Sequence, residues 1–386
     1  MKTAHRLWCV VVASALALSS VPAYAQGKAK AAPAAKTIKV NVKDVKLKNG
    51  LRVLLAEDHS APVISLAVTY NVGSRNERRG RTGFAHLFEH MMFKGSENVG
   101  TGEHMLLVFN NGGSLNGTTS EDRTNYFEQL PANQLDLALF LEADRMRGLD
   151  ISKANLDNQR HAVQEERRLG LDNQPYGKTR ERFQETMYDN FAYKHSVIGS
   201  MEDLNAASVE DVKEFFRIYY APNNAVLALV GDFKTDQALA KIKKYFESIP
   251  SQPAPPPVDT AEPGQTAERR FTVEDPLARL PQLLIGYKGI LGGTPDYYAM
   301  QVLNQALASG QSSRLYQKLV KEKELVTSVF GFPREMRGPG YYQLIATLAP
   351  GKKPEDVEAV IYEEIARLQQ EPIADWEMEK AKHSAR

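Results

Sequence analysis

The chain of 386 residues carries 48 Lys and Arg against 47 Asp and Glu, a formal charge of +1, and a single cysteine. That balance leaves no electrostatic footprint for nucleic acid, and one thiol excludes a disulfide framework and a cysteine-built zinc site. The length exceeds one ordinary domain and points to two.

The chain opens with Lys2 and Arg6, an apolar run from Leu7 to Leu18, and Ala23-Tyr24-Ala25, which together follow the pattern of a cleaved secretory signal peptide over residues 1–25. Cleavage before Gln26 would remove Cys9 and take the charge from +1 to +1 − 2 = −1. A thiol-free mature chain suits the periplasm or the exterior. The apolar run is short and ends in Ser19-Ser20 and Pro22, so no stable membrane anchor is expected after cleavage. Residues 26–39, lysines and alanines around Pro33, read as a solvated tether.

Val40 to Ala56 alternates apolar and polar residues around Lys48-Asn49-Gly50, which predicts a hairpin, and Pro62 to Val72 predicts a third strand. A polar loop then leads into Gly83-Phe84-Ala85-His86-Leu87-Phe88-Glu89-His90-Met91-Met92-Phe93-Lys94-Gly95. On a helix His86 and His90 lie one turn apart on one face, and Glu89 shares it. The order is H-x-x-E-H, the reverse of the zinc-protease helix H-E-x-x-H. Two imidazoles so placed can share one tetrahedral ion, and the carboxylate can act as general base. Such polar groups in so apolar a helix would be costly without a partner, and a bound cation is one. The bland alternative is a coincidence of residue types in a metal-free structural protein.

Further on, a short helix is expected near Glu103 to Asn110. Asn111 to Thr118 has the small residues of an exposed edge strand, with Thr124 to Gln129 as its neighbour. Helices are expected over Ala132 to Met146, Ser152 to Leu169, Lys178 to Tyr188, Ser208 to Tyr219 and Thr235 to Ser248, with Asp211 completing a capping box on Ser208. Ala225 to Gly231 reads as a buried strand. Residues 250–266 form a proline-rich linker between a first domain, 40–249, and a second, 267–386.

The second part is expected to run through strands Arg270 to Glu274 and Gln282 to Tyr287, then helices Asp296 to Ala308 and Ser312 to Glu324. Strands Val326 to Phe332 and Tyr341 to Leu348 follow, then helices Pro354 to Gln370 and from Ala374 onward. That order repeats the first part. Ile151, Leu156, Arg160 and His161 overlay Ile373, Met378, Lys382 and His383 at a constant offset of 222. On this reading the second copy lacks a counterpart of Ala162 to Pro250 and is incomplete.

These residues resemble the inverted-motif zinc metallopeptidases: the pitrilysin, insulinase and mitochondrial processing peptidase family, as a bacterial secreted member. The resemblance is carried by Gly83 to Gly95, by Asn116-x-Thr118 with Asp122, Thr124 and Tyr126, and by Asp157 to Tyr176. It implies an α+β fold in which two homologous halves, each an antiparallel sheet packed against helices, face each other like a clam. It also implies a zinc endopeptidase that hydrolyses peptides or unfolded segments, with His86 and His90 as ligands and Glu89 as general base. The family's third ligand is a glutamate on a later helix, where Glu165 and Glu166 both stand, about 100° apart on a helix. Matching Arg160 and Val163 to the family pattern selects Glu166, with Glu165 as the fallback; His161 is read as a surface residue or one lying beside the ligands.

In the family, substrate joins the edge strand, which gives Asn116 and Thr118 substrate-binding roles. Two departures stand out. Gln159 replaces a common glutamate, and Lys321 to Val329 lacks the arginine and tyrosine that self-sufficient members use to hold substrate. Arg334 and Tyr341 are candidates for that role at non-matching positions. The resemblance therefore implies a related partner subunit supplying the missing pair. The rival reading is a non-catalytic metal-binding or assembly subunit of a peptidase-like heterodimer.

Overall fold

Alternating burial along the first strands fixes which face of the sheet takes the helices. A computed structural model describes residues 39–384; the expected leader and all but the last residue of the tether lie outside the described residues. β1 (Lys43–Lys46) and β2 (Arg52–Glu57) pair antiparallel across the expected turn. Gly50 adopts φ 90°, and a Cβ there would come within 2.6 Å of the Asn223 Cβ, so the turn admits only glycine without strain. β3 (Val63–Tyr70) buries Ile64, Leu66, Val68 and Tyr70 at every second position.

After α1 (Phe84–Met91) and α2 (Glu103–Asn110) come β4 (Ser114–Thr119), β5 (Thr124–Pro131), α3 (Leu135–Arg147) and α4 (Lys153–Arg167). A π-helical turn over Arg168–Asp172 leads to α5 (Gly177–Met187), then to the short α6 (Phe191–Lys194) and α7 (Met201–Ala206), which the sequence pattern does not announce. α8 (Val209–Tyr219) starts with the predicted Ser208 and Asp211 capping box. β6 (Ala225–Gly231) and α9 (Thr235–Phe246) complete the unit.

The six strands run in the order β1-β2-β6-β3-β5-β4, with β2 and β6 parallel and every other pair antiparallel. β6 returns from far along the chain to fill the centre between β2 and β3, and β4 lies at the edge beyond β5, as its small residues predict. One apolar core, including Leu55, Leu66, Phe88, Leu139, Leu229 and Phe246, joins the sheet to α1, α3 and α9.

The second sheet has three antiparallel strands in the order β7-β9-β8: β7 (Gln282–Leu291), β8 (Val326–Arg334) and β9 (Pro339–Leu348). α10 (Pro295–Leu307), α11 (Pro354–Gln370) and α12 (Asp375–Ser384) accompany it. The expected strand Arg270 to Glu274 is not formed. Arg270 instead reaches the Glu358 carboxylate on α11 through bonds of 2.6 and 2.9 Å, and Phe271 packs with Phe183 and Met187. Side-chain anchors hold this segment as a connector with no ladder partner. The expected helix Ser312 to Glu324 forms largely as a π-helical turn over Tyr316–Glu322.

The repeat is visible in the structure: β3-α1-α2-β4-β5-α3-α4 corresponds to β7, α10, the π-helical turn, β8, β9, α11 and α12. The strands pair in the matching orders β3-β5-β4 and β7-β9-β8, and α12 begins at Asp375 where α4 begins at Lys153, 375 − 153 = 222, the sequence offset. Residues from Asn41 onward form one compact unit. A small cluster of Phe183, Met187, Tyr188, Tyr193 and Met336 joins α5 and α6 to the β8–β9 connection. Among the described residues no helix is long and apolar enough to cross a membrane.

Candidate metal centre

α1 is committed to the core along most of its surface, since Phe84, Ala85, Leu87, Phe88 and Met91 are buried. His86, Glu89 and His90 occupy the strip that remains. The helix begins at Gly83, whose φ of 85° favours glycine and whose missing side chain cannot cap the first turn. Glu77 caps it instead: one carboxylate oxygen accepts from the Gly83 N–H at 2.9 Å and the other from the Ala85 N–H at 2.8 Å. His195 Nε2 lies 2.9 Å from the same carboxylate. Burial raises the Glu77 pKa, opposed by His195.

α4 packs beside α1 and brings up the third group. Glu166 Oε2 lies 3.3 Å from His90 Nε2 and 3.6 Å from His86 Nε2. Donors about 2.0–2.1 Å from a tetrahedral ion stand roughly 3.3–3.4 Å from one another, so these separations suit a shared zinc. Glu165 turns away to pair with Arg168, and His161 is exposed. Of the two adjacent glutamates the structure thus brings Glu166 to the histidines.

The protonation tendencies fit a cation. Burial and the neighbouring His90 push the His86 pKa down to about 4, leaving its ring neutral with a lone pair to give. The hydrogen bond from His90, opposed by burial, lowers the Glu166 pKa and keeps it anionic. His86 Nδ1 is buried with no hydrogen-bond partner among the described residues.

Glu89 faces β4. Its Oε2 accepts a hydrogen bond from the Thr119 hydroxyl. A Cβ on Gly117 would lie 2.9 Å from the Glu89 Cγ, so the bare backbone there makes room for the carboxylate. Burial raises the Glu89 pKa against the pull of Thr119. The expected substrate residues face the other way: Asn116 Oδ1 accepts from the Gly117 N–H at 2.8 Å, and Thr118 Oγ1 accepts from Arg123 Nη1 at 2.8 Å.

Sequence reasoning missed Thr119 and Glu77. Strand parity held the signal for the first, because Thr119 shares a face with Gly117. For the second the signal was a helix start with no capping side chain at Gly83. Arg334 and Tyr341 are engaged elsewhere. Arg334 pairs with Glu121, and Tyr341 packs edge-on against Phe183 and Tyr188.

A family model described as Insulinase (Peptidase family M16) matches residues 52–200, and one described as Peptidase M16 inactive domain matches residues 206–385. The chain belongs to peptidase family M16. Within this M16 family, the zinc protease PqqE of Helicobacter pylori is 34% identical over 341 residues, 88% of this chain and 77% of the relative. The crystal structure of a protease from Helicobacter pylori matches with a TM-score of 0.86 at 33% identity, over 90% of this chain and 84% of that one. The periplasmic protease PqqL from Escherichia coli shares the fold, with a TM-score of 0.74 at 20% identity, over 90% of this chain and 40% of that one. The α+β architecture is that of M16 peptidases, and His86, Glu89, His90 and Glu166 all fall in the insulinase match.

A second trio of metal-capable residues lies among the described residues: His104, Glu128 and Glu142, all buried. His104 Nε2 is 3.9 Å from Glu128 Oε2. Here a cation is already in place, for Arg145 forks onto Glu142, with Nε 3.0 Å from Oε2.

Proposed function

We propose that this M16 chain is a zinc-dependent endopeptidase acting on peptides or unfolded segments, with His86, His90 and Glu166 as metal ligands and Glu89 as general base. The convergence of Glu166 Oε2 on the two imidazole Nε2 atoms at 3.3 and 3.6 Å carries the reading. Bound zinc would supply Lewis acidity, bringing a water pKa to about 7 and polarising the peptide carbonyl. Glu89 takes the proton from the attacking water and passes it to the departing amine nitrogen. The Thr119 hydroxyl orients that carboxylate, and the Gly117 backbone leaves space for it. An extended substrate would add to the open edge of β4, where Asn116 and Thr118 flank Gly117.

We read residues 40–249 as the catalytic half and 267–386 as the second half, joined by 250–266. The completion of the first sheet by β6 supports this division. The leader pattern supports a periplasmic or secreted location. The lack of the expected arginine and tyrosine in Lys321 to Val329 favours a related partner chain, and it also supports the rival reading of a non-catalytic subunit.

Cleavage of an unfolded protein such as reduced casein, with and without a chelator, separates the two readings. Glu89→Gln is expected to keep zinc while lowering turnover by about 10²–10⁴-fold. Zinc binding without any cleavage by the wild type, alone or with its partner chain, would favour the subunit reading.

A further inference from the structure

The tight turn between β4 and β5, residues 120–123, is held from outside by the second half. Arg334, at the end of β8, donates from Nη2 to both Glu121 oxygens at 2.8 and 3.0 Å. Three residues on, the Arg337 N–H donates to Asp122 Oδ2 at 2.9 Å, and the Arg337 guanidinium bonds to Asn71 Oδ1. Asp122 Oδ1 accepts from the Tyr193 hydroxyl at 2.8 Å, and that hydroxyl accepts from the Gly338 N–H at 2.9 Å.

The first half braces the same turn from its other side. The backbone N–H groups of Ser74 and Arg75 donate to the Ser120 and Glu121 carbonyls at 3.2 and 3.0 Å. Gly73 packs so close that a Cβ would come within 2.3 Å of the Ser120 oxygen. The turn therefore has its place set by two layers of the protein.

What lies on either side of the turn gives this its meaning. Thr119, immediately before it, donates to Glu89, while Arg123, at its end, bonds to the Thr118 hydroxyl. β4 is an edge strand with a neighbour on one side only, so its end depends on support from outside the sheet. The end of β8 and the β8–β9 connection supply that support at the turn itself.

We propose that Glu121 and Arg334 are positioning residues for Glu89: through the turn they hold the Thr119 hydroxyl on the general base, so the second half shapes the chemistry of the first without touching substrate. This rests on the peptidase reading above. It gives the half that matches a family model described as inactive a part in turnover.

A double-variant cycle tests it. Wild type, Thr119→Val, Arg334→Ala and the double variant are assayed on a fluorogenic decapeptide built around a bond that wild type cuts in casein, with zinc content measured for each. Thr119→Val is expected to lower kcat about tenfold and Arg334→Ala about threefold, with KM within about twofold and zinc unchanged. The double variant should be no slower than Thr119→Val alone, because both changes act through one hydrogen bond. Glu121→Gln, which keeps the side-chain shape, should match Arg334→Ala. The exchanged pair, Glu121→Arg with Arg334→Glu, should recover most of the loss. Unchanged kcat in Arg334→Ala and Glu121→Gln, or losses that multiply in the double variant, would overturn the positioning role while leaving the peptidase reading intact. A wild type that cuts nothing would overturn both.

Discussion

The two trios of histidine and glutamate use the same kinds of donor in opposite electrostatic surroundings. His86, His90 and Glu166 converge with no positive side chain among them, and Glu166 is half exposed. His104, Glu128 and Glu142 lie 1–3% exposed, with the Arg145 guanidinium locked onto Glu142 and stacked over the Phe93 and Tyr126 rings. A divalent ion in the second trio would have to share Glu142 with a buried cation, at a heavy electrostatic cost. Residue type alone therefore does not tell the two trios apart; the charge already present and the route to solvent do.

The sharpest way to break this contrast is to remove one carboxylate from each trio. Glu166→Gln should weaken zinc binding by at least about a hundredfold in competition with a chromophoric chelator, a loss beyond that of groups merely supporting a ligand. Glu142→Gln should leave zinc affinity in the folded protein within about twofold. Zinc loss from the Glu142 variant would erase the distinction.

Stability should show the reverse order. Arg145→Met leaves the Glu142 carboxylate buried without its counter-charge and should cost about 3–5 kcal/mol in urea unfolding. A loss below about 1 kcal/mol would mean that the sealed trio is not balanced by Arg145.

The smallest effect concerns Glu128. Burial, with Glu142 nearby, raises its pKa well above the usual 4.5, against the opposing pull of Arg145. A raised pKa means that the folded chain holds a proton the unfolded chain releases, so this contribution is present at low pH and falls away as pH rises above about 4.5. Glu128→Gln mimics the protonated acid and should flatten that decline. Its melting temperature should match wild type near pH 4 and exceed it by roughly 2 °C at pH 8. A variant less stable than wild type at pH 8 would show that Glu128 is ionised and paired.

Much of the first sheet was legible because its signals are local. Asn49-Gly50 marks a turn, Ser208 and Asp211 cap a helix, and the H-x-x-E-H spacing fixes a helical face whatever surrounds it. Glu166, which the structure brings beside both histidines, is singled out by family resemblance and not by periodicity. What escaped depends on contacts between distant segments. Arg270 to Glu274 has the composition of a strand, yet its bonds go to Glu358 and it joins no ladder. α6 and α7 are too short for a periodic pattern, yet His195 and Asp203 from this region brace Glu77 and Thr82 ahead of α1. The Arg334 and Glu121 pair spans residues 213 apart and leaves no trace in local pattern.

The most direct test is an anomalous difference map at the zinc edge from a crystal of the full chain equilibrated with zinc. A single strong protein-bound peak is expected within about 2.0–2.2 Å of His86 Nε2, His90 Nε2 and a Glu166 oxygen. No density there, or a peak among His104, Glu128 and Glu142 instead, would contradict it.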